Sequence, residues 1–175
     1  MRKLFLVVGV FASLFAGFAQ DKVKPLVVQS IGLEILPIGT SFTEVSKDAG
    51  FAPKGDFLAF YDRGGRIRFR AEGGVSLYSH QVDGTASPVI VPNAAVAVGF
   101  RVGERSDMRT YFTGYLGAGT QYLAGHGLAR KIFLDLHFSY YLTNRFCLNA
   151  IARANDYGIT DAYYFMGGIG VSYTL

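Results

Sequence analysis

The chain has no tryptophan and one cysteine, Cys147. A lone cysteine closes no internal disulfide, so no covalent staple holds the fold. Cys147 also lies far from the N-terminus, which excludes a lipoprotein signal. Beyond residue 20 no window holds the eighteen or more apolar residues of a transmembrane helix. Charge is sparse, at 17% of residues, and forms no basic stripe, which excludes a nucleic-acid partner. Internal repeats and low-complexity tracts are absent too.

The one long apolar run is at the start. Arg2 and Lys3 precede LFLVVGVFASLFAGFA, with the small residues Gly17 and Ala19 near its end. A basic start, a short apolar run and small residues make a secretory signal peptide, residues 1–19, with cleavage after Ala19. The chain has seventeen basic and thirteen acidic residues. Loss of Arg2 and Lys3 lowers the net charge to about +2, and residues 20–175 suit a single domain.

Apolar content reaches 50%, with 22 glycines, 11 tyrosines and 15 phenylalanines. It is spread over short alternating segments. In Ile132–Leu142 one alternate set reads Ile132, Leu134, Leu136, Phe138, Tyr140, Leu142 and the other Phe133, Asp135, His137, Ser139, Tyr141. Period two over such a length predicts a strand with one apolar and one polar face, about as long as a tilted strand needs to cross a bilayer. Strands of this kind are expected at 27–36 (ended by Pro37), 55–62, 66–79, 89–102, 109–124, 132–142, 146–155 and 163–175. The second has two apolar faces. Pro92 and Asn93 suggest a bulge or an edge at the start of the fourth. The connections after strands two, four and six read as short. Those after one, three, five and seven read as mostly longer, the longest being 38–54. This predicts an all-β fold: an eight-stranded antiparallel up-and-down transmembrane β-barrel in the outer membrane. Its longer loops would lie outside and both termini in the periplasm.

Period two does not say which face points out, and a lipocalin-type soluble barrel would turn the apolar face inward. The polar face decides. It carries Glu34, Arg68, Arg70, Glu72, Arg101, Asp135, His137 and Arg153, together with Gly32, Gly74, Gly99, Gly117, Gly119, Gly168 and Gly170. Glycine weakens a solvent-facing strand, but a narrow lumen needs small residues to offset large ones. Those charges are expected to pair within the lumen, with Tyr78 and Tyr141 beside them, and to fill it.

The C-terminal run Gly168-Ile-Gly170-Val-Ser-Tyr173-Thr-Leu175 resembles the terminal strand read by the outer-membrane insertion machinery, with Leu175 where phenylalanine is commoner. Signal peptide, eight strands and this ending together resemble the small outer-membrane β-barrel family of OmpA-, OmpX- and PorT-like proteins. The resemblance spans residues 20–175. It implies an exported Gram-negative outer-membrane protein in contact with membrane lipid, with Gly170, Tyr173 and Leu175 as the insertion signal. His137-Phe138-Ser139 is similar to the His-x-Ser-Asn stretch of small lipid A deacylases, but Tyr140 replaces the asparagine and both side chains are on the inward face. His80, Asp83 and His126 near loop ends form no known metal-ligand spacing. No cofactor or metal is implied. The reading is a monomeric, non-enzymatic protein with a structural or surface-interaction role and an extracellular ligand at its loops. The alternatives are a narrow porin-like channel for small solutes and a lipid A-modifying enzyme.

Overall fold

The structure, a computed structural model, describes residues 27–41, 51–82, 85–102, 109–125, 127–158 and 162–175. Among them are eight strands: β1 (Val28–Ser41), β2 (Phe51–Gly64), β3 (Ile67–Val82), β4 (Thr85–Val102), β5 (Thr110–Leu123), β6 (Gly127–Tyr141), β7 (Phe146–Tyr157) and β8 (Ala162–Thr174). Each pairs antiparallel with the next, and β1 pairs with β8 to close a barrel. Closure leaves the spanning sheet no open edge, which hydrocarbon requires because it offers backbone N–H and C=O groups no partner. The proposed signal peptide lies outside the described residues.

Alternation separates two environments. Leu33, Phe69, Val96, Val98, Phe112, Leu116, Leu136, Leu148 and Ile169 stand exposed around the outer wall. Glu34, Arg68, Glu72, Asp135 and Arg153 are buried inside it. A soluble barrel has the reverse arrangement. An apolar exterior around a polar lumen is that of a membrane-spanning barrel.

The strands run past the limits that periodicity suggests. β1 continues through Pro37 to Ser41. Pro37 is the last residue of β1 in register with β2, opposite Gly55, and a register shift between Ile38 and Thr40 follows on the β8 side. A missing N–H is tolerated at such a boundary. β3 and β4 stay paired as far as Val82 and Thr85, so residues 81–88 are not the long polar connection their composition suggests. β5 pairs with β4 only from Asn93 onward, so Thr85–Pro92 has β3 on one side and no described strand on the other. Pro88 and Pro92 thus sit on an edge. Of the bulge or edge that Pro92 and Asn93 suggest, the described residues show the edge, and the β3–β4 register is unbroken.

The loop pattern is corrected as well. Only residues 83–84 separate β3 from β4, whereas 103–109 separate β4 from β5. The two ends therefore differ by a projecting β3–β4 hairpin rather than by an alternation of loop lengths. The tight turn after β2 is where expected, and Gly64 takes the positive φ that favours glycine. After β6, the hydroxyl of Thr143 accepts from the N–H groups of Arg145 and Phe146 at 3.2 and 3.0 Å.

Leu136 is outward in mid-β6, opposite Gly114 and Ala152, while Ser139 faces inward and donates to Asn149 Oδ1 at 2.8 Å. Leu136→Arg is expected to destabilise the barrel by about 2–4 kcal/mol in a bilayer. Ser139→Ala is expected to cost about 1 kcal/mol. Reversible denaturant unfolding in lipid vesicles measures both, and equal small losses would mean that the faces are misassigned.

Candidate functional site

The lumen is built from the inward positions of all eight strands, and its middle layer is ionic. Glu34 comes from β1, Asp56 from β2, Arg70 and Glu72 from β3, Lys131, Asp135 and His137 from β6, and Arg153 from β7. All are buried. Because β3 and β7 lie four strands apart in a ring of eight, Glu72 and Arg153 project from opposite walls.

They meet across the lumen. Arg153 donates to Glu72 through Nη1 at 2.9 Å and Nη2 at 2.8 Å. The same guanidinium donates to Asp135 through Nε and Nη2, each at 2.6 Å. Glu72 also accepts from Arg70 Nε at 3.3 Å and lies 3.5 Å from Lys131 Nζ. Arg70 Nη2 donates to Glu34 in a short ion pair. His137 lies between the remaining ends, its Nε2 at 3.3 Å from Asp135 and its Nδ1 at 3.7 Å from Glu34. The contacts thus run from Glu34 through Arg70, Glu72, Arg153, Asp135 and His137 back to Glu34, a ring of six side chains from four strands. Lys131 extends it to Asp56 at 3.1 Å, and Tyr157 donates to Asp56 at 3.0 Å. A second unit lies nearer the turn end, where Arg68 Nε and the Tyr115 hydroxyl both donate to Asp62, at 2.9 and 2.7 Å.

Glycines make the room. Gly32, Gly99 and Gly117 each lie directly opposite an inward aromatic on the neighbouring strand, Phe60, Tyr115 and Phe133. In each pair the ring occupies the space a Cβ would need. Two of these rings then carry cations, with Arg70 Cζ 4.0 Å from the Phe60 centroid and Arg153 Cζ 4.1 Å from that of Phe133. Gly170, opposite Glu34 across the β1–β8 seam, leaves space for that carboxylate in the same way.

Above the ring, toward the loop end, Leu36, Leu58, Ile151, Tyr157, Tyr164 and Met166 form a buried apolar cluster. Tyr78, Val91 and Leu123 form another, and the Tyr78 hydroxyl donates to Gln121 Oε1 at 2.8 Å. Tyr78 belongs to this cap, not to the neighbourhood of Arg68 and Arg70 that spacing suggests. Arg101 is buried but makes no ion pair among the described residues, so the structure does not bring it into the network.

Sequence reading missed Asp56, Asp62 and Lys131. The first two lie six apart on the inward face of β2, where Leu58 and Phe60 hide the alternation. Lys131 precedes the segment read as strand six. The deacylase-like pair is not assembled: Ser139 donates to Asn149, whereas His137 faces two carboxylates. Asp83 and His126 lie outside the described residues, and His80 is on β3 opposite Ser87.

No known protein family matches the chain by sequence, and no curated protein does. Solved structures share its fold. Ail, the attachment invasion locus protein of Yersinia pestis, in complex with the heparin analogue sucrose octasulfate, gives a TM-score of 0.52 at 13% identity, covering 87% of this chain and 100% of that chain. The backbone structure of Yersinia pestis Ail in a phospholipid bilayer nanodisc gives 0.52 at 13% identity, covering 86% and 100%. Neisserial surface protein A gives 0.45 at 13% identity, covering 85% and 96%. The fold is that of the small outer-membrane β-barrels.

The ionic ring makes one residue decisive. Glu72→Ala leaves Arg153, Arg70 and Lys131 each short of a carboxylate, and is expected to cost about 3–5 kcal/mol. Urea unfolding of the folded barrel in vesicles measures it. A loss below about 1 kcal/mol would mean that lumen water already screens these charges.

Proposed function

We propose that this outer-membrane β-barrel is a closed, non-enzymatic scaffold, acting as a monomer, that presents its loop end to an extracellular ligand. The observation that carries this reading is the ionic ring spanning the full width of the lumen, sealed toward the loop end by the apolar cluster around Leu36 and Tyr164. An eight-stranded barrel has an interior just wide enough for its own side chains to fill. Here they do so in mutually bonded pairs, which supports a closed lumen over a conducting one. A lipid-processing centre needs a nucleophile turned toward lipid, and Ser139 points into the lumen.

The projecting β3–β4 hairpin supports the surface role. Its free side on β4 is blunted by Pro88 and Pro92, a device that discourages strand addition by another chain. Ail, which shares the fold, has been solved with a heparin analogue. The loop end of this chain carries Glu44, Asp48, Asp83, Asp156 and Asp161 against Lys47, Lys54 and Arg130. That balance disfavours a sulfated polyanion as its ligand. Insertion would be directed by the terminal strand, where Tyr173 accepts from Arg145 at 2.8 Å and packs on Phe146, and Leu175 is exposed.

Two measurements test the proposal. Purified wild-type protein in planar bilayers is expected to show no steady current; stable stepwise currents would put the narrow-channel reading first. An epitope inserted between Asp83 and Gly84 is expected to bind antibody on intact cells. One inserted at Asn144 should be reached only after permeabilisation, and the opposite pattern would invert the topology.

A further inference from the structure

The outer wall is not evenly convex, because small residues hollow it around β2 and β3. On β3 the outward Ala71 stands in register between Tyr61 of β2 and Val96 of β4. On β5 Ala118 stands between Val96 and Ile132. The next outward row toward the turn end, Phe69, Val98 and Leu116, is large and exposed, so the wall sinks behind it. This hollow measures about 830 Å³, and Arg63 lines its margin. A second hollow of about 650 Å³ lies on the other side of Tyr61, where Ala59 and Gly73 face each other beside Leu33 of β1. Tyr61 and Ala71 line both hollows, so the two meet there.

Polar groups gather at one end of these hollows. Arg63 follows Tyr61 by two residues on the outward face of β2, at the turn end. It is exposed, and its side chain makes no hydrogen bond or ion pair among the described residues. The Tyr61 hydroxyl donates to Gln29 at 3.2 Å, and Arg145 donates at 2.8 Å to the hydroxyl of Tyr173, which lines the second hollow. Tyrosines of this kind mark the level at which hydrocarbon gives way to headgroups. Arg63 thus stands at headgroup level, at the head of two apolar hollows. Among the described residues the one outward acidic side chain, Asp156, is at the loop end and pairs with Arg130 at 3.4 Å. Leu175 is tied to Gln29 through its N–H, and its terminal carboxylate forms no ion pair with Arg63 or Arg145.

We propose that this wall holds one anionic phospholipid, its phosphate against Arg63 and its two acyl chains in the hollows on either side of Tyr61. The bilayer already covers the wall, so its occupant is a lipid, and the unpartnered guanidinium selects the headgroup. Arginine grips a phosphate through two parallel donors. Arg145, held at Tyr173, adds a second positive charge on the same margin. The topology proposed above turns this end to the periplasm, which puts the lipid in the periplasmic leaflet.

Native mass spectrometry of the full refolded barrel tests this, with the protein released from mixed micelles holding equal amounts of phosphatidylglycerol and phosphatidylethanolamine. One phosphatidylglycerol is expected to stay on each barrel in preference to phosphatidylethanolamine. Arg63→Gln should lower that preference about fivefold. Ala71→Phe fills the junction of the hollows, leaves every charge in place and should lower retention of both lipids. Arg130→Gln, at the loop end, should change neither. All three side chains lie outside the lumen, and the gel shift of each unboiled variant reports its folding. Equal retention of the two lipids by the wild type would overturn the proposal. So would a preference unchanged in folded Arg63→Gln, or retention unchanged in folded Ala71→Phe. Lipid-free dimers broken by Ala71→Phe would also overturn it and give the wall to a second copy. Micelles have no leaflets, so these outcomes are independent of the epitope experiment, whose failure would move the lipid to the other leaflet without removing it.

Discussion

The guanidinium of Arg153, held between Glu72 and Asp135, is the interaction on which the interior depends. It makes four hydrogen bonds of 2.6–2.9 Å to two carboxylates, one on the opposite wall and one on the neighbouring strand. Arginine suits the position because its planar fork meets two carboxylates at once, which a lysine ammonium cannot do. The fork rests on Phe133, and Phe133 can lie flat there because its cross-strand partner is Gly117. Neutralising either acid would leave charge unpaired among buried side chains, where the desolvation cost is several kcal/mol.

Membrane residence explains why so costly an interior exists. In a soluble protein the apolar residues would form the core. Here the bilayer claims them, and alternation commits every second residue of each strand to the lumen. A closed barrel of eight strands cannot be left hollow at that diameter, so polar side chains must fill it and satisfy one another. The filling is layered along the axis. Small hydroxyls and Arg101 lie at the turn end, the ionic ring in the middle, and aromatic and aliphatic side chains at the loop end. The buried ion pairs lie where a low local dielectric strengthens each contact and raises the cost of leaving one unmade.

The sequence displays the outer face more plainly than the inner one. Ile132–Leu142 announces its lipid side because lipid demands apolar residues at every outward position, and that demand alone locates eight strands. It is silent where the demand stops. Pairing of β3 with β4 continues beyond the bilayer through Gln81, Val82 and Thr85, since backbone hydrogen bonds form in water as well as in lipid, and no periodicity marks it. Strand β2 mixes Leu58 and Phe60 with Asp56 and Asp62 on one inward face, so its hydrophobic pattern reads as two apolar sides. Pairing partners are harder still. Arg68, Arg70 and Glu72 share a face by spacing. That Arg70 meets Glu34, Arg68 meets Asp62 and Glu72 meets Arg153 depends on register and barrel diameter, which composition does not carry.

The same network bears on the seam of the barrel. β1 and β8 are the ends of the chain's sheet, and their pairing runs from Ser30 opposite Thr174 to Ser41 opposite Tyr164. If only backbone ladders held β1, the seam would resist opening no better than any other strand pair. Glu34 changes that. From β1 it reaches Arg70 on β3 and faces His137 on β6, while Arg70 leads through Glu72 to Arg153 on β7, the strand that carries β8. Peeling β1 from β8 would therefore pull a carboxylate out of its ion pair and expose Arg70 to hydrocarbon, besides breaking the seam's own hydrogen bonds. Barrel closure and lumen filling are thus linked through Glu34. A barrel tied across its diameter in this way would hold its loop end in a fixed shape, as the proposed scaffold role requires.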